Sequence, residues 1–297
     1  MENFLIPCVG SSIVAHVMRY YTIYVIMIGT SLLGLLCGII GCVVVAKRES
    51  LLGDGIAHMA YPGMVASFYL ASIKSVLVQL IGALVTATLG ILLIQYIKER
   101  THVSYDSILA TVLSGSFSIG LVLMSLVQQQ AGAKQSGLTR ILFGQPAALM
   151  KADLVVISVF IVVILIALKV YWHHIVSVIF DAVYAQSIGL SVRTIQNAIA
   201  LISTIGVLLA IQSVGVILMC ACLVGPAISA RQWAHTFKQM MVISAMISIF
   251  SSMIGTGISS IYSSIPTGPA IVVTISCVVL VSVLIAPKRG ILWRAIR

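Results

Sequence analysis

Apolar residues in this chain neither alternate with polar ones, as in a half-buried strand, nor gather on one face, as in a surface helix. They run in blocks of twenty or more, and about 20 apolar residues are what a helix needs to cross a bilayer. Such blocks lie near residues 23–46, 51–70, 76–97, 107–128, 153–173, 194–230, 239–260 and 267–287. The sixth is too long for one crossing and contains Gly215, Gly225 and Pro226, so it is either two short helices or one broken helix. The pattern predicts an all-α polytopic membrane protein of eight or nine transmembrane helices, one of them broken.

Composition sharpens the picture. Hydrophobic residues make up 60% of the 297 and charged residues only 8%, where a soluble domain carries about a quarter charged. The apolar blocks are too many for one signal peptide, and none has the basic start and small-residue cleavage site of one. Residues 1–22, MENFLIPCVGSSIVAHVMRYYT, are mixed in character and are expected to form an interfacial segment, with Arg19, Tyr20 and Tyr21 at the headgroup level. Residues 23–287 then form the membrane domain and 288–297 a basic tail.

The net charge of +10 sits mostly in loops and tail. It does not indicate nucleic-acid binding, because no basic run is interleaved with aromatics; it reports orientation and can meet anionic lipid. Lys47 and Arg48, Lys98 and Arg100, Arg231 and Lys238, and the tail KRGILWRAIR all fall on one face if the first span runs outside to inside. Nine spans then place the amino terminus outside and the carboxyl terminus inside. The 129–152 loop, with Lys134, Arg140 and Lys151, falls on the outer face by this count; its LTRILFG is too short to cross and is expected to re-enter. The six cysteines (Cys8, Cys37, Cys42, Cys220, Cys222 and Cys277) lie mostly in apolar runs, show no disulfide framework and read as small packing residues.

Against this background the stretch SLLGDGIAHMAYPG at 50–63 stands out. Asp54 is the acidic residue most plausibly drawn into the embedded bundle, since the other six sit in loops or at span ends. Burying a carboxylate there calls for a partner, an ion or a water-filled cavity. His58, four residues on, shares its helix face, and a carboxylate oxygen with an imidazole nitrogen is a ligand pair for manganese, iron or zinc. Two readings stay open from spacing alone: the pair fixes packing, or it forms a site on a translocation path. Pro62 and Gly63 follow and predict a bend that turns backbone groups toward a cavity. Elsewhere Gly34, Gly38 and Gly41 form a small ridge for close helix approach. Ser114, Ser118 and Ser125 share a face of the fourth span, where bonds to their own helix carbonyls compete with a polar passage.

No GxxxxGK[ST] loop, HExxH motif or serine–histidine–aspartate set occurs, so ATP hydrolysis and other embedded catalysis are not expected of this chain. Residues 180–196, FDAVYAQSIGLSVRTIQ, read either as an ordinary linker or as a short cytoplasmic helix that docks on another subunit.

Taken together, LLGDGIAHMAYPG at 52–64, LFG at 142–144, FDAVYAQSIG at 180–189 and VGVILMCACLVGPAISA at 214–230 resemble the integral-membrane permease of bacterial ABC importers for zinc, manganese or iron. The resemblance covers about residues 25 to 287. It implies that Asp54 and His58 lie on the transport path as metal ligands, and that Phe180, Asp181, Ala185 and Gly189 belong to the region contacting the ATPase. It also implies that Gly225 and Pro226 mark a late helix break or gate, as Pro62 and Gly63 do on the second span. The implied assembly is a permease dimer in the bacterial inner membrane, of two copies or two related chains, with two cytoplasmic ATPases and an extracytoplasmic metal-binding protein. The metal is then transported substrate and not a resident cofactor. The chain departs from the commonest form in Met59, Ala60 and Tyr61 before Pro62 and in its long amino-terminal stretch. The alternatives are a gradient-driven secondary metal transporter, against which stand the single embedded acid and the lack of a convincing internal repeat, and a purely structural subunit.

Overall fold

The structure, a computed structural model, describes residues 9–71, 76–131, 151–262 and 265–286. The first eight residues, Lys134, Arg140 and LFG at 142–144 in the fourth loop, and the tail 288–297 lie outside the described residues. The elements are all helical: α1 (Val9–Ala46), α2 (Leu52–Ala71), α3 (Val76–Arg100), α4 (Tyr105–Ala131), α5 (Lys151–Val170), α6 (Trp172–Phe180), α7 (Ala182–Ser187), α8 (Val192–Val214), α9 (Val216–Trp233), α10 (Phe237–Ile261) and α11 (Thr267–Ile285). Among the described residues, seven of these are long and apolar enough to cross a membrane, or eight if the α5–α6 pair, bent by 78°, is counted as one span. The 20-residue α2 is a further long helix whose polar and small residues set it apart from them.

The long sixth block resolves into two helices, α8 and α9, meeting at Gly215 with φ 85°. That left-handed backbone is one that glycine adopts without a Cβ penalty. Gly225 and Pro226, taken from sequence as the break, lie inside the continuous α9, and Pro62 and Gly63 lie inside the continuous α2. An embedded helix tolerates an internal proline where neighbouring helices support the freed backbone, and both prolines are buried against such neighbours. Residues 9–22, expected along the membrane surface, are helical and continuous with the first span; at 38 residues α1 is about 57 Å long, well beyond the ~30 Å hydrocarbon layer.

Packing follows the glycine ridge. Gly34 and Gly38 of α1 face Ser252, Ser248 and Ser244 of α10, and Gly41 lies against the carbonyl oxygen of Leu223 in α9. Thr30 shares a 3.1 Å hydrogen bond with Thr256, and Ser244 donates to the Gly38 carbonyl at 2.9 Å. In α4, Ser118 donates to its own helix at the Ser114 carbonyl and Ser125 at the Val122 carbonyl, both at 2.8 Å. These two hydroxyls are thus satisfied locally.

One end of the bundle gathers the cations. Lys98 lies over the Tyr105 ring at 4.9 Å, Arg193 meets Glu99 at 3.5 Å, and Lys47 pairs with the buried Glu49 at 2.9 Å. Phe237 reaches Trp172 and Phe180 at centroid distances of 5.8 and 5.6 Å, which places the start of α10 and the whole of α6 at this same end. The basic-residue preference makes it the cytoplasmic end.

A Cβ at Gly41 would collide with the Leu223 carbonyl, whereas Gly115 has open space around it. Gly41→Ala is therefore expected to destabilise the detergent-purified protein by roughly 1–3 kcal/mol, the range for overpacking, while Gly115→Ala is neutral or slightly stabilising; thermal melts of the two variants check the contrast.

Candidate functional site

Helix α2 is enclosed along its first two-thirds. From Leu52 to Val65 every residue is buried except Asp54 and His58, which are partly exposed. Three glycines let neighbours close around it. Gly53 lies against Leu223 and Met219 of α9, Gly55 against Leu109 of α4, and Gly63 against Gly82 and Thr86 of α3. A larger side chain at Gly63 would push α3 away through the Gly82 backbone, and at Gly53 and Gly55 it would displace the Leu223 and Leu109 side chains.

Asp54 falls in the first turn of α2, where the amino-terminal end of the helix dipole favours a negative charge. His58 Nε2 stands 3.4 Å from Asp54 Oδ1, with 29% of the histidine side chain and 45% of the aspartate side chain exposed. The two groups therefore form a loose contact that opens to the outside of the subunit. The imidazole packs edge-on to Phe117 of α4 at 4.7 Å between centroids, and the same Phe117 lies 5.5 Å from Tyr61. Phe117 thus fixes the ring on one side and leaves the Asp54-facing nitrogen in place. Pro62, having no N–H, offers none to the carbonyl of His58 one turn earlier.

On the other side, α9 brings Cys220 close enough to feel the charge of Asp54, and Cys37 of α1 stands in the same way to Cys220 and Cys222. Spacing along the sequence separated Cys220 from Cys222 and gave no sign that either adjoined Asp54. Phe117 was missed for the same reason, since contact between helices leaves no local motif. Among the described residues, no set of three or more His, Cys, Asp and Glu side chains is placed to hold a metal ion. The pair thus supplies one carboxylate and one imidazole.

The second candidate region, 180–196, folds as the end of α6, the short α7 and the start of α8. Asp181 caps α7, its Oδ1 accepting from the Tyr184 N–H at 2.9 Å. Ala185 is fully buried, and Gly189 closes the turn with φ 83°. Phe180, Val183, Tyr184 and Ile188 stay exposed, Val183 at 80%. An apolar cluster at the end of the bundle that carries the basic residues is a surface prepared for contact. Gly225 packs against Ile275 of α11, and Pro226 is buried.

A sequence profile of the ABC 3 transport family matches residues 19–286. The chain is 35% identical over 272 residues to the manganese transport system membrane protein MntC of Bacillus subtilis (strain 168), an alignment covering 92% of this chain and 62% of that protein, so it spans less than two thirds of that relative's length. It is 30% identical over 274 residues to the zinc transport system membrane protein TroC of Treponema pallidum (strain Nichols), covering 92% of each. Among solved structures, a chain of PsaBC from Streptococcus pneumoniae in complex with Fab superposes with a TM-score of 0.78 at 26% identity, covering 94% of this chain and 97% of that one.

Loss of the α7 cap has a local signature. Asp181→Ala is expected to cost about 1 kcal/mol of local stability, read as roughly fivefold faster hydrogen exchange at the amides of α7, with exchange in α2 unchanged.

Proposed function

The chain belongs to the ABC 3 transport family, and from that membership we propose that it is the permease subunit of an ATP-driven importer of divalent transition-metal ions. The observation that carries this reading is the Asp54–His58 pair, the only partly exposed positions in an otherwise buried stretch of α2. The pair is the metal-handling point of the path. A carboxylate oxygen and an imidazole nitrogen suit manganese, iron and zinc alike, and the relatives in Bacillus and Treponema are named for manganese and for zinc. Two side-chain ligands hold an ion loosely, which a transporter requires for release.

Import runs from an extracytoplasmic binding protein, through the permease dimer, to the cytoplasm. Phe180, Asp181, Ala185 and Gly189 shape the docking segment for one of two ATPases. Asp181 and Gly189 fix the form of α7, Ala185 anchors it, and Phe180 with its exposed apolar neighbours makes the contact. Motion of that segment passes into α8, which begins at Val192. Pro62 with Gly63, and Gly225 with Pro226, are the sites at which α2 and α9 adjust during the cycle. Hydrolysis belongs to the ATPase, because this chain carries no phosphate-binding loop.

The test is reconstitution in liposomes with the ATPase and binding protein, followed by uptake of manganese, iron and zinc. ATP-dependent uptake of at least one metal is expected. Asp54→Ala and His58→Ala should each lose at least about tenfold in rate, equivalent to ~1.4 kcal/mol, while still assembling with the ATPase. Uptake persisting in both variants would return the pair to a packing role. Uptake that follows a proton or sodium gradient without any ATPase would replace this reading with a secondary transporter. Separately, Val183→Glu, which sets a charge in the exposed apolar patch, is expected to abolish ATPase co-purification and leave the fold intact by circular dichroism.

A further inference from the structure

Between α3 and α8 lies a cavity of about 20 Å³ that the metal path does not use. Its polar lining comes from Thr88 and Gln95 on α3 and from Asn197 and Thr204 on α8, each pair seven residues apart and so on one helix face. Thr88 Oγ1 and Asn197 Oδ1 are both shut off from the surface and, among the described residues, have no hydrogen-bond partner. Thr204 Oγ1 donates to the Ala200 carbonyl at 2.8 Å, which leaves it free to accept. Buried polar groups are rarely left unpaired, and these two line the same small, half-open pocket.

We propose that a single water molecule occupies the α3–α8 cavity and bridges Thr88 to Asn197. The volume exceeds the roughly 10–15 Å³ that one water requires. A water accepts the Thr88 hydroxyl proton and donates to Asn197 Oδ1, with its second proton available to Thr204 Oγ1 or Gln95 Oε1. The remaining lining is aliphatic and contains no ionised group, so a cation there would lie uncompensated. Position gives the water a role. Helix α8 begins directly after the segment 180–189, and α3 packs on α2 at Gly82 and Gly90. A water keeps its bonds over a range of helix separations that a direct side-chain pair cannot match. The inference stands whether or not α2 handles a metal.

The experiment uses the permease assembled with its ATPase. Thr88→Val and Asn197→Leu are compared by thermal melting with Thr88→Ser, which keeps the hydroxyl. A bridging water predicts that each apolar variant lowers the midpoint by roughly 2–4 °C, that the double variant costs less than the sum, and that Thr88→Ser stays near the parent. A dry cavity predicts the reverse, since replacing an unsatisfied polar atom by an apolar one is neutral or stabilising; an unchanged or raised midpoint in either apolar variant overturns the proposal. High-resolution density for the parent complex supplies a second readout. One isolated feature within hydrogen-bond reach of both residues is expected, and an empty cavity or a feature ringed by five or more oxygens, as for a metal ion, overturns it.

Discussion

A carboxylate on an otherwise buried helix inside a membrane bundle has to be accommodated, and Asp54 meets that constraint with a favourable helix position, a neighbour and a side chain left 45% exposed. Asp54 sits in the first turn of α2, where the helix dipole favours it, and beside His58, which can share its charge. The helix that carries both is approached closely at its glycines, by the Leu223 and Leu109 side chains at Gly53 and Gly55 and by the Gly82 backbone at Gly63. Gly53, Gly55 and Gly63 set the distances to α9, α4 and α3. Without a hydrophobic drive between helices in lipid, such small-residue contacts are the available means of fixing position. The same device recurs one layer out, where α1 meets α10 through Gly34 and Gly38.

The cytoplasmic end is held differently. There Phe237 sits between Trp172 and Phe180, Arg193 reaches Glu99, and Lys98 covers Tyr105. These contacts tie α6 to the start of α10, the start of α8 to the end of α3, and the end of α3 to the start of α4. Aromatic packing and partly exposed ion pairs rearrange at lower cost than backbone-to-backbone contacts, the exposed ion pairs being worth little individually. The bundle thus has a closely packed, glycine-lined middle and a cytoplasmic end held by more adjustable contacts.

Much of this was legible in the sequence, and the reasons for the remainder are physical. Apolar runs of membrane-spanning length gave the helices, because the bilayer imposes a length that no other constraint imitates. The Asp54–His58 pair was legible because i,i+4 spacing needs only one helix. The helix junction at Gly215 was not separated from Gly225 and Pro226, since all three are ordinary breakers in sequence and the surroundings decide which one acts. Pro226 is packed inside α9, while Gly215 alone takes a positive φ. The sharp 78° bend came instead at Tyr171, between two segments without proline or glycine. Phe117 beside His58 is a contact between helices, and the approach of Cys220 on α9 toward Asp54 on α2 also relates two helices; a single sequence encodes neither locally.

That both polar side chains ride on one helix limits how the site can work. Rigid motion of helices against one another leaves the Asp54–His58 separation unchanged, so a two-state cycle cannot assemble and dismantle this pair by hinge movement. What such motion can change is the company the pair keeps: Phe117 on α4, and Cys220 with the rest of α9, which joins α8 at Gly215. Helix α8, on the other side of that glycine, begins at the segment read as the ATPase dock. Any displacement of α8 reaches the α9 side of the pair through that junction.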